Sequence, residues 1–412
     1  MKDQAADTSF EQCMKCTVCT VYCPIVAVNP AFPGPKQAGP DGERYRLKDP
    51  LFYDEALDLC LNCKRCEVAC PSNVKIGDII QNARLEYGGQ KPKLRDFILA
   101  NTDLMGSVAT SMAPIVNFTL GLKPVKSLMD AFLAVDHHRA FPRYAGEKFE
   151  TWFRKNALRH QEAYPEKVTY FHGCYANYNN PQLAKDLIKI MNAIGYGVNL
   201  MDEEKCCGVA LISNGFKDKA SGQAKINLAG IRKSVGRGEF VLTTSSTCTF
   251  TMRDEYQHIL GLENDDVRDS IILATKFIYE AVCSGRVRLV FRDDYRKRIA
   301  YHTPCHMEKL GWAIYSTSLL RLIPGVDLLM LDSQCCGIAG TYGFKREHYN
   351  DSQKIGEPLF RQIRDVRADI VATDCETCRW QIEMSTGAIV ENPISILADA
   401  LEFEATIRAN NF

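Results

Sequence analysis

The chain has 412 residues, enough for two to four domains. Hydrophobic residues make up 46% and charged residues 24%, proportions that exclude disordered and collagen-like classes. Fifty Lys+Arg balance fifty Asp+Glu, so no global charge excess points to a nucleic-acid binder, and eighteen cysteines are too dispersed for a small disulfide scaffold.

Met1 to Phe10 is polar and no apolar run follows it, so no secretory signal is expected. That points to a reducing, bacterial-type cytoplasm in which thiols stay available to metals. Cys13-x2-Cys16-x2-Cys19-x3-Cys23-Pro24 is followed by the same run, Cys60-x2-Cys63-x2-Cys66-x3-Cys70-Pro71. Such spacing lets three thiolates converge on one [4Fe–4S] cubane while the fourth cysteine serves the neighbouring cluster. The first ligand set is then Cys13, Cys16, Cys19 and Cys70, and the second is Cys60, Cys63, Cys66 and Cys23. Paired zinc sites are the competing reading of CxxC pairs, but zinc has no need of a crossed fourth ligand. DPLFYDEALDLC between the runs predicts a short helix with Asp49 as N-cap and Pro50 first, and VKIGDIIQNARLEYG after them predicts another. The head, residues 1–90, is expected to be a helical dicluster module that carries single electrons.

Leu104 to Leu122 contains no charge, nearly the length of a membrane span, yet it is interrupted by Pro114, Gly106, Gly121 and several hydroxyls. Two readings stand: a helical pair covering a core, or an interfacial segment. Eight Lys/Arg against four acids between Lys123 and Arg159 favour a membrane surface, as does SLMDAFLAVDHHRAF, whose apolar residues recur at helical spacing. Residues 91–165 form the linker carrying these helices.

The remainder is duplicated at a period of about 130 residues, which divides it into repeats 166–292 and 293–412. VTYFHGC matches IAYHTPC, Cys206-Cys207-Gly208 matches Cys335-Cys336-Gly337, and TTSSTCTF around Cys248 matches ATDCETCR around Cys378. Short β-rich runs alternate with helical stretches, so each repeat predicts a parallel sheet with crossover helices and cysteines just past strand ends. The fold class is therefore α+β multidomain, a helical dicluster ferredoxin module followed by two α/β cysteine-rich repeats whose cysteine loops face a shared cleft.

The second repeat offers Cys305, Cys335, Cys336, Cys375 and Cys378, more thiolates than one tetrahedral zinc uses, so an iron–sulfur cluster of unusual nuclearity fits better than zinc or a vicinal disulfide. The first repeat keeps Cys174, Cys206, Cys207 and Cys248 but carries Ser245 where the second has Cys375. Its four thiols are open to zinc, a smaller cluster or no metal. Cys283 has no counterpart and reads as an ordinary thiol. His172 and His302 occupy matching places; His302 and His306 flank the complete cysteine set and are candidates to hydrogen-bond a cluster from outside its ligand shell.

Two ferredoxin runs followed by two Cys-Cys-Gly repeats are similar to the iron–sulfur subunits of heterodisulfide reductases and of glycolate and lactate oxidase complexes. NPAFPGPKQAGPDGER at 29–44, CLNCKRCEVACPSNVKIGDIIQ at 60–81, EKCCGVALISNGF at 204–216, YHTPCHMEKLGW at 301–312 and DSQCCGIAGTYGFK at 332–345 resemble the C subunits of anaerobic glycerol-3-phosphate dehydrogenases in particular. The resemblance implies a subunit that is no enzyme on its own. It would anchor a flavoprotein pair (the A and B subunits) peripherally at the cytoplasmic side of the inner membrane and pass electrons to menaquinone. It also implies two [4Fe–4S] clusters and a non-cubane [4Fe–4S] cluster on the five cysteines of the second repeat; Ser245 puts an equivalent in the first repeat in doubt. A disulfide-reducing enzyme or a subunit of a lactate- or glycolate-oxidising complex is the alternative. Consistent with a partner that holds the two-electron cofactor, the chain has no Gly-x-Gly-x-x-Gly fingerprint.

Overall fold

The computed structural model describes residues 8–49, 54–87 and 93–410. Its ferredoxin-type head is built from single helical turns around cysteines. The turns Val18–Val21 and Arg65–Val68 occupy matching places in the two runs, and the short 3-10 helix Glu55–Leu59 joins them. This helix begins later than the sequence suggests: the Asp54 carboxylate, not Asp49, accepts the Ala56 N–H at 2.9 Å, while Pro50 lies outside the described residues. Helix α1, Ile76–Tyr87, lies where it was expected. Phe10, Ile25, Phe32, Leu57, Ile76, Ile79 and Ile80 form a small core into which the cysteines pack. The side chain of Glu67 caps α1 from a distance, accepting the N–H groups of Gly77 at 2.8 Å and Asp78 at 3.2 Å.

The linker forms four short helices, α2 (Leu94–Ala100), α3 (Thr102–Ser111), α4 (Ala113–Thr119) and α5 (Lys123–Leu133). Pro114 stands in the first turn of α4, which starts a new helix there instead of prolonging α3. No helix among the described residues is long and apolar enough to cross a membrane. The helical pattern expected to run on to Phe141 stops at Leu133. Ala134 takes a left-handed φ of 51°, and Val135 pairs in an isolated antiparallel bridge with Lys345. The cause is tertiary: Arg139 is buried on the second repeat, donating to the Gly343 carbonyl, to Gln381 and, at 3.0 Å, to the Ser352 hydroxyl. Those bonds hold the chain in an extended path that a continued helix could not follow.

The two repeats have the same topology. In the first, β1 (Glu166–Phe171), β2 (Tyr196–Asn199), β3 (Val241–Thr243) and β4 (Ile271–Leu273) form a parallel sheet in the order β2-β1-β3-β4. In the second, β5 (Lys297–Tyr301), β6 (Val326–Met330), β7 (Ile370–Ala372) and β8 (Val390–Glu391) repeat it as β6-β5-β7-β8. The inner strands β1, β3, β5 and β7 end in wholly apolar or hydroxyl-bearing buried residues, as expected for a sheet covered on both faces. Helix α6 (Pro181–Ala193) of the first repeat packs on α7 (Pro393–Ala400) of the second, placing Leu187, Ile190, Ile394 and Leu397 in one core common to both. Burying such a Leu or Ile completely is worth about 1.5–3 kcal/mol, and here each contributes to joining the repeats.

Polar bonds lock the repeats together just past the strand ends. The Asp374 carbonyl accepts the Ser246 N–H at 2.8 Å and its hydroxyl at 2.9 Å, and the Asn392 amide donates to the Thr244 carbonyl at 2.9 Å. The loop after β3 therefore faces the loop after β7, the arrangement the duplicated cysteine motifs imply.

Candidate metal centres

In the head, the thiols fall into two groups. Cys13, Cys16 and Cys70 are the thiol neighbours of Cys19, whereas Cys63 and Cys60 are those of Cys23, and Cys66 has Cys63, Cys60 and Cys23 around it. Burial pushes the Cys23 thiol up to about 12, with the Cys63 and Cys60 charges adding to it, and burial likewise raises Cys66 well above its ordinary value. Lys15 and Thr17 flank Cys16, and Asn62 and Lys64 flank Cys63, all four at φ between 53° and 64°. A left-handed residue that is not glycine costs about 1 kcal/mol, and the matched quartet gives both runs the same backbone turn around their middle cysteine. Backbone N–H groups of Asn62 and Val74 point at the sulfurs of Cys60 and Cys70, at 3.5 and 3.4 Å.

All five candidate cysteines of the second repeat meet. Cys305 and Cys336 both hydrogen-bond Cys335, the sulfurs of Cys336 and Cys378 are 3.2 Å apart, and Cys375 is bonded to Cys378. Crowding divides them. Hydrogen bonds from Cys305 and Cys336 pull Cys335 well below its ordinary value, and one from Cys378 lowers Cys375 to about 5. Cys305, Cys336 and Cys378 are pushed well up, first by thiol–thiol hydrogen bonding and then by burial. Five buried thiols cannot ionise together unless a cationic centre compensates them. Gly337 has φ +84°, and a Cβ there would lie 2.0 Å from the Ser352 carbonyl oxygen, so the Cys-Cys-Gly turn admits no other residue without displacing the backbone.

In the first repeat, Cys174, Cys206, Cys207 and Cys248 also meet: the Cys206 and Cys174 sulfurs are 3.8 Å apart, and Cys207 is hydrogen-bonded by Cys206 and Cys248. Ser245 supplies no thiol, but its side chain hydrogen-bonds Cys248 at the edge of that group. Its hydroxyl accepts the Cys248 N–H at 3.3 Å as a helix N-cap and donates to Glu376 of the second repeat at 2.9 Å. Cys283 is exposed and apart from both groups.

His302 is wholly buried, burial lowers it to about 4, and both of its ring nitrogens lack a partner among the described residues. The Cys335 charge opposes that shift, which places the ring beside the five-thiol group. An orphaned buried N–H costs about 1–3 kcal/mol; a metal–sulfur group on these thiols would supply the missing acceptor. The donor sets and this ring fit such clusters. His172 differs, since its Nδ1 contacts Glu204 at 3.0 Å. His306 stacks on Phe250 with ring centroids 4.8 Å apart, and its Nε2 lies 3.4 Å from the Asn62 carbonyl.

The head and the second repeat touch through their cysteines: Cys63 hydrogen-bonds Cys305. Arg65, two residues on, donates to Glu308 at 3.0 Å, to the Ser333 hydroxyl at 2.9 Å and to the Ser333 carbonyl at 3.1 Å, and Cys305, Cys335 and Cys63 all raise it. Arg65 was not singled out from sequence, because its partners lie more than 240 positions away. Two carboxylates were missed as well: Glu376, which burial raises to about 8, and Asp103, which burial raises to about 7 although it accepts the Cys206 N–H at 2.8 Å. A carboxylate inside a Cys-x2-Cys pair, as at Glu376, was the only local signal.

A cavity of about 460 Å³ lies where the linker, the head and both repeats converge. Cys63, Cys174, Cys206, Cys248, Cys305 and Cys375 line it, as do apolar residues of α3, α4 and α5.

Residues 9–74 match a model described as "4Fe-4S dicluster domain", and residues 168–253 and 299–383 each match one described as "Cysteine-rich domain". The chain is 59% identical over 396 residues to the C subunit of the anaerobic glycerol-3-phosphate dehydrogenase of Escherichia coli (strain K12), covering 96% of this chain and 99% of that protein. It is 25% identical to the glycolate oxidase iron-sulfur subunit of the same organism, over 97% of this chain and 96% of that one. A third relative is the D subunit of the dihydromethanophenazine:CoB–CoM heterodisulfide reductase of Methanosarcina barkeri, 26% identical over 64% of this chain and 67% of that protein.

Proposed function

The chain belongs to the family of anaerobic glycerol-3-phosphate dehydrogenase C subunits, iron–sulfur subunits of an oxidoreductase, and from that footing we propose that it links a flavoprotein dehydrogenase to membrane menaquinone. Bound clusters supply one-electron redox chemistry; this chain's residues hold them apart from water and in sequence. Cys13, Cys16, Cys19 and Cys70 hold one cubane, and Cys60, Cys63, Cys66 and Cys23 the other. Cys305, Cys335, Cys336, Cys375 and Cys378 hold a non-cubane cluster with His302 beside it. The first-repeat thiols Cys174, Cys206, Cys207 and Cys248 are the fourth candidate site. The domains run 1–90, 91–165, 166–292 and 293–412.

The observation carrying this reading is the contact of Cys63 with Cys305, which joins the head to the second repeat with no intervening protein. Membrane association is peripheral, at the cytoplasmic face, and rests on the outer faces of α3, α4 and α5, where Val108, Ile115, Phe118 and Phe132 are 55–80% exposed. The test is Cys66→Ser in the anaerobically purified complex. One cubane signal and glycerol-3-phosphate:menaquinone activity should be lost, while dye reduction by the flavin subunits persists. Equal loss of dye reduction contradicts the direction of transfer.

Because both cysteine groups open onto one cavity, disulfide reduction there is the second reading. Turnover of a disulfide by the isolated chain with a low-potential dye would favour it.

A further inference from the structure

The cavity extends well beyond its cysteines. On the linker side it is lined by Leu99, Met105, Ala109, Val116, Leu120 and Phe141, none of which can ligate a metal through a charged or imidazole donor. That half is therefore not explained by cluster binding. The cavity as a whole, cysteine end included, measures about 460 Å³, and the apolar character of its linker half is that of a site for an organic molecule. The mouth can also be located: Val108 both lines the cavity and is 55% exposed, and Ile115 and Phe118 of the next helix, α4, are exposed apolar residues too. An apolar molecule dissolved in the near leaflet of a membrane under those residues would enter without crossing water. At the floor, His306 and Thr247 line the cavity beside the cysteines of the second repeat, Thr247 with its hydroxyl 3.6 Å from the Cys375 sulfur. They offer hydrogen-bond donors to a carbonyl oxygen in an otherwise apolar chamber.

We propose that this cavity is the seat of the quinone ring: a naphthoquinone enters between α3, α4 and α5, lies on Ala109 and Phe141, and presents one carbonyl to the floor between the repeats. The proposal rests on the quinone-linked reading above. Each turnover balances as two electrons, delivered singly from the reduced flavin of the partner, and two protons from water, converting both quinone carbonyls to hydroxyls. Small linker residues act as a specificity device here, since Ala109 is 7% exposed and faces the ring's place.

The experiment uses the anaerobically purified complex and an azido-naphthoquinone photoprobe, with Ala109→Phe as the blocking variant. Wild type should be labelled within residues 99–141 or at the floor loops 245–248 and 375–378. Ala109→Phe should lower labelling at least tenfold and raise KM for a short-chain naphthoquinone by a similar factor, with cluster signals intact. Labelling confined to other residues, or undiminished in a variant with intact clusters, overturns the inference. If Ala109→Phe loses its clusters, the map of the wild-type label alone decides. Failure of the functional reading has a different signature: a wild-type complex whose clusters are reduced by glycerol 3-phosphate but which reduces no naphthoquinone removes both.

Discussion

Arg65→Gln removes a guanidinium whose charge acts on Cys305, Cys335 and Cys63 while keeping a side chain able to hydrogen-bond Ser333. In the wild type the arginine is tied to Glu308 and Ser333 by bonds of 2.9–3.1 Å, and its side chain is 11% exposed. A unit charge about 5 Å from a redox centre, at an effective dielectric constant of about 20, is worth about 3 kcal/mol. The Glu308 carboxylate, partnered to Arg65 at 3.0 Å, offsets part of that field, so about 1.5 kcal/mol, or about 60 mV for a one-electron couple, is the net expectation. Removing a cation disfavours the more negative reduced state, so potentials at the Cys305 group and the adjoining cubane should both fall. Redox titration followed by electron paramagnetic resonance reads this directly. A shift smaller than about 20 mV, or an upward one, would refute the electrostatic account, since about 60 mV is one tenfold step in equilibrium.

Lys64→Met should cost about 3–5 kcal/mol of stability, because it strands buried Asp78 and leaves Glu67 with Lys309, at 2.9 Å, as its remaining cationic partner. Pairing it with Asp78→Asn should recover most of that in anaerobic urea unfolding; equal single and double variants would show the pair to be unimportant. Phe118→Asp with Phe132→Asp should release the complex from anionic vesicles in flotation, each removing an exposed ring worth about 1.5–3 kcal/mol on burial. Unchanged flotation would exclude this face as the anchor. Ser245→Ala should remove the cap on Cys248 N–H and cost about 1 kcal/mol while leaving the signals of the second repeat unaltered; loss of those signals would mean that Ser245 acts on the five-thiol group itself.

What could be read from the chain was whatever is local or periodic. Cysteines three residues apart stand out as a candidate ligand pattern, and a duplicated Cys-Cys-Gly announces a duplicated fold, so the paired parallel sheets follow from spacing. Strands β4 and β8 did not, since three and two residues carry too little pattern to separate them from loops. Helix α5 ends at Leu133 although its apolar spacing continues, because Arg139 is captured by residues more than 200 positions away. The start of the 3-10 helix at Glu55 was hidden for a smaller reason: Asp49 and Asp54 are equally good caps in sequence, and only the bond to Ala56 N–H distinguishes them. The Cys63–Cys305 contact and the placement of Arg65 belong to the long-range class and required the folded chain.

The most direct measurement is iron, acid-labile sulfide and electron paramagnetic resonance on the oxygen-free complex, comparing wild type with Cys335→Ala. The account predicts two cubane signals in both proteins, plus a third, distinct signal that disappears with Cys335 together with its iron and sulfide. A colourless preparation containing zinc, or a spectrum that Cys335→Ala leaves untouched, would contradict it.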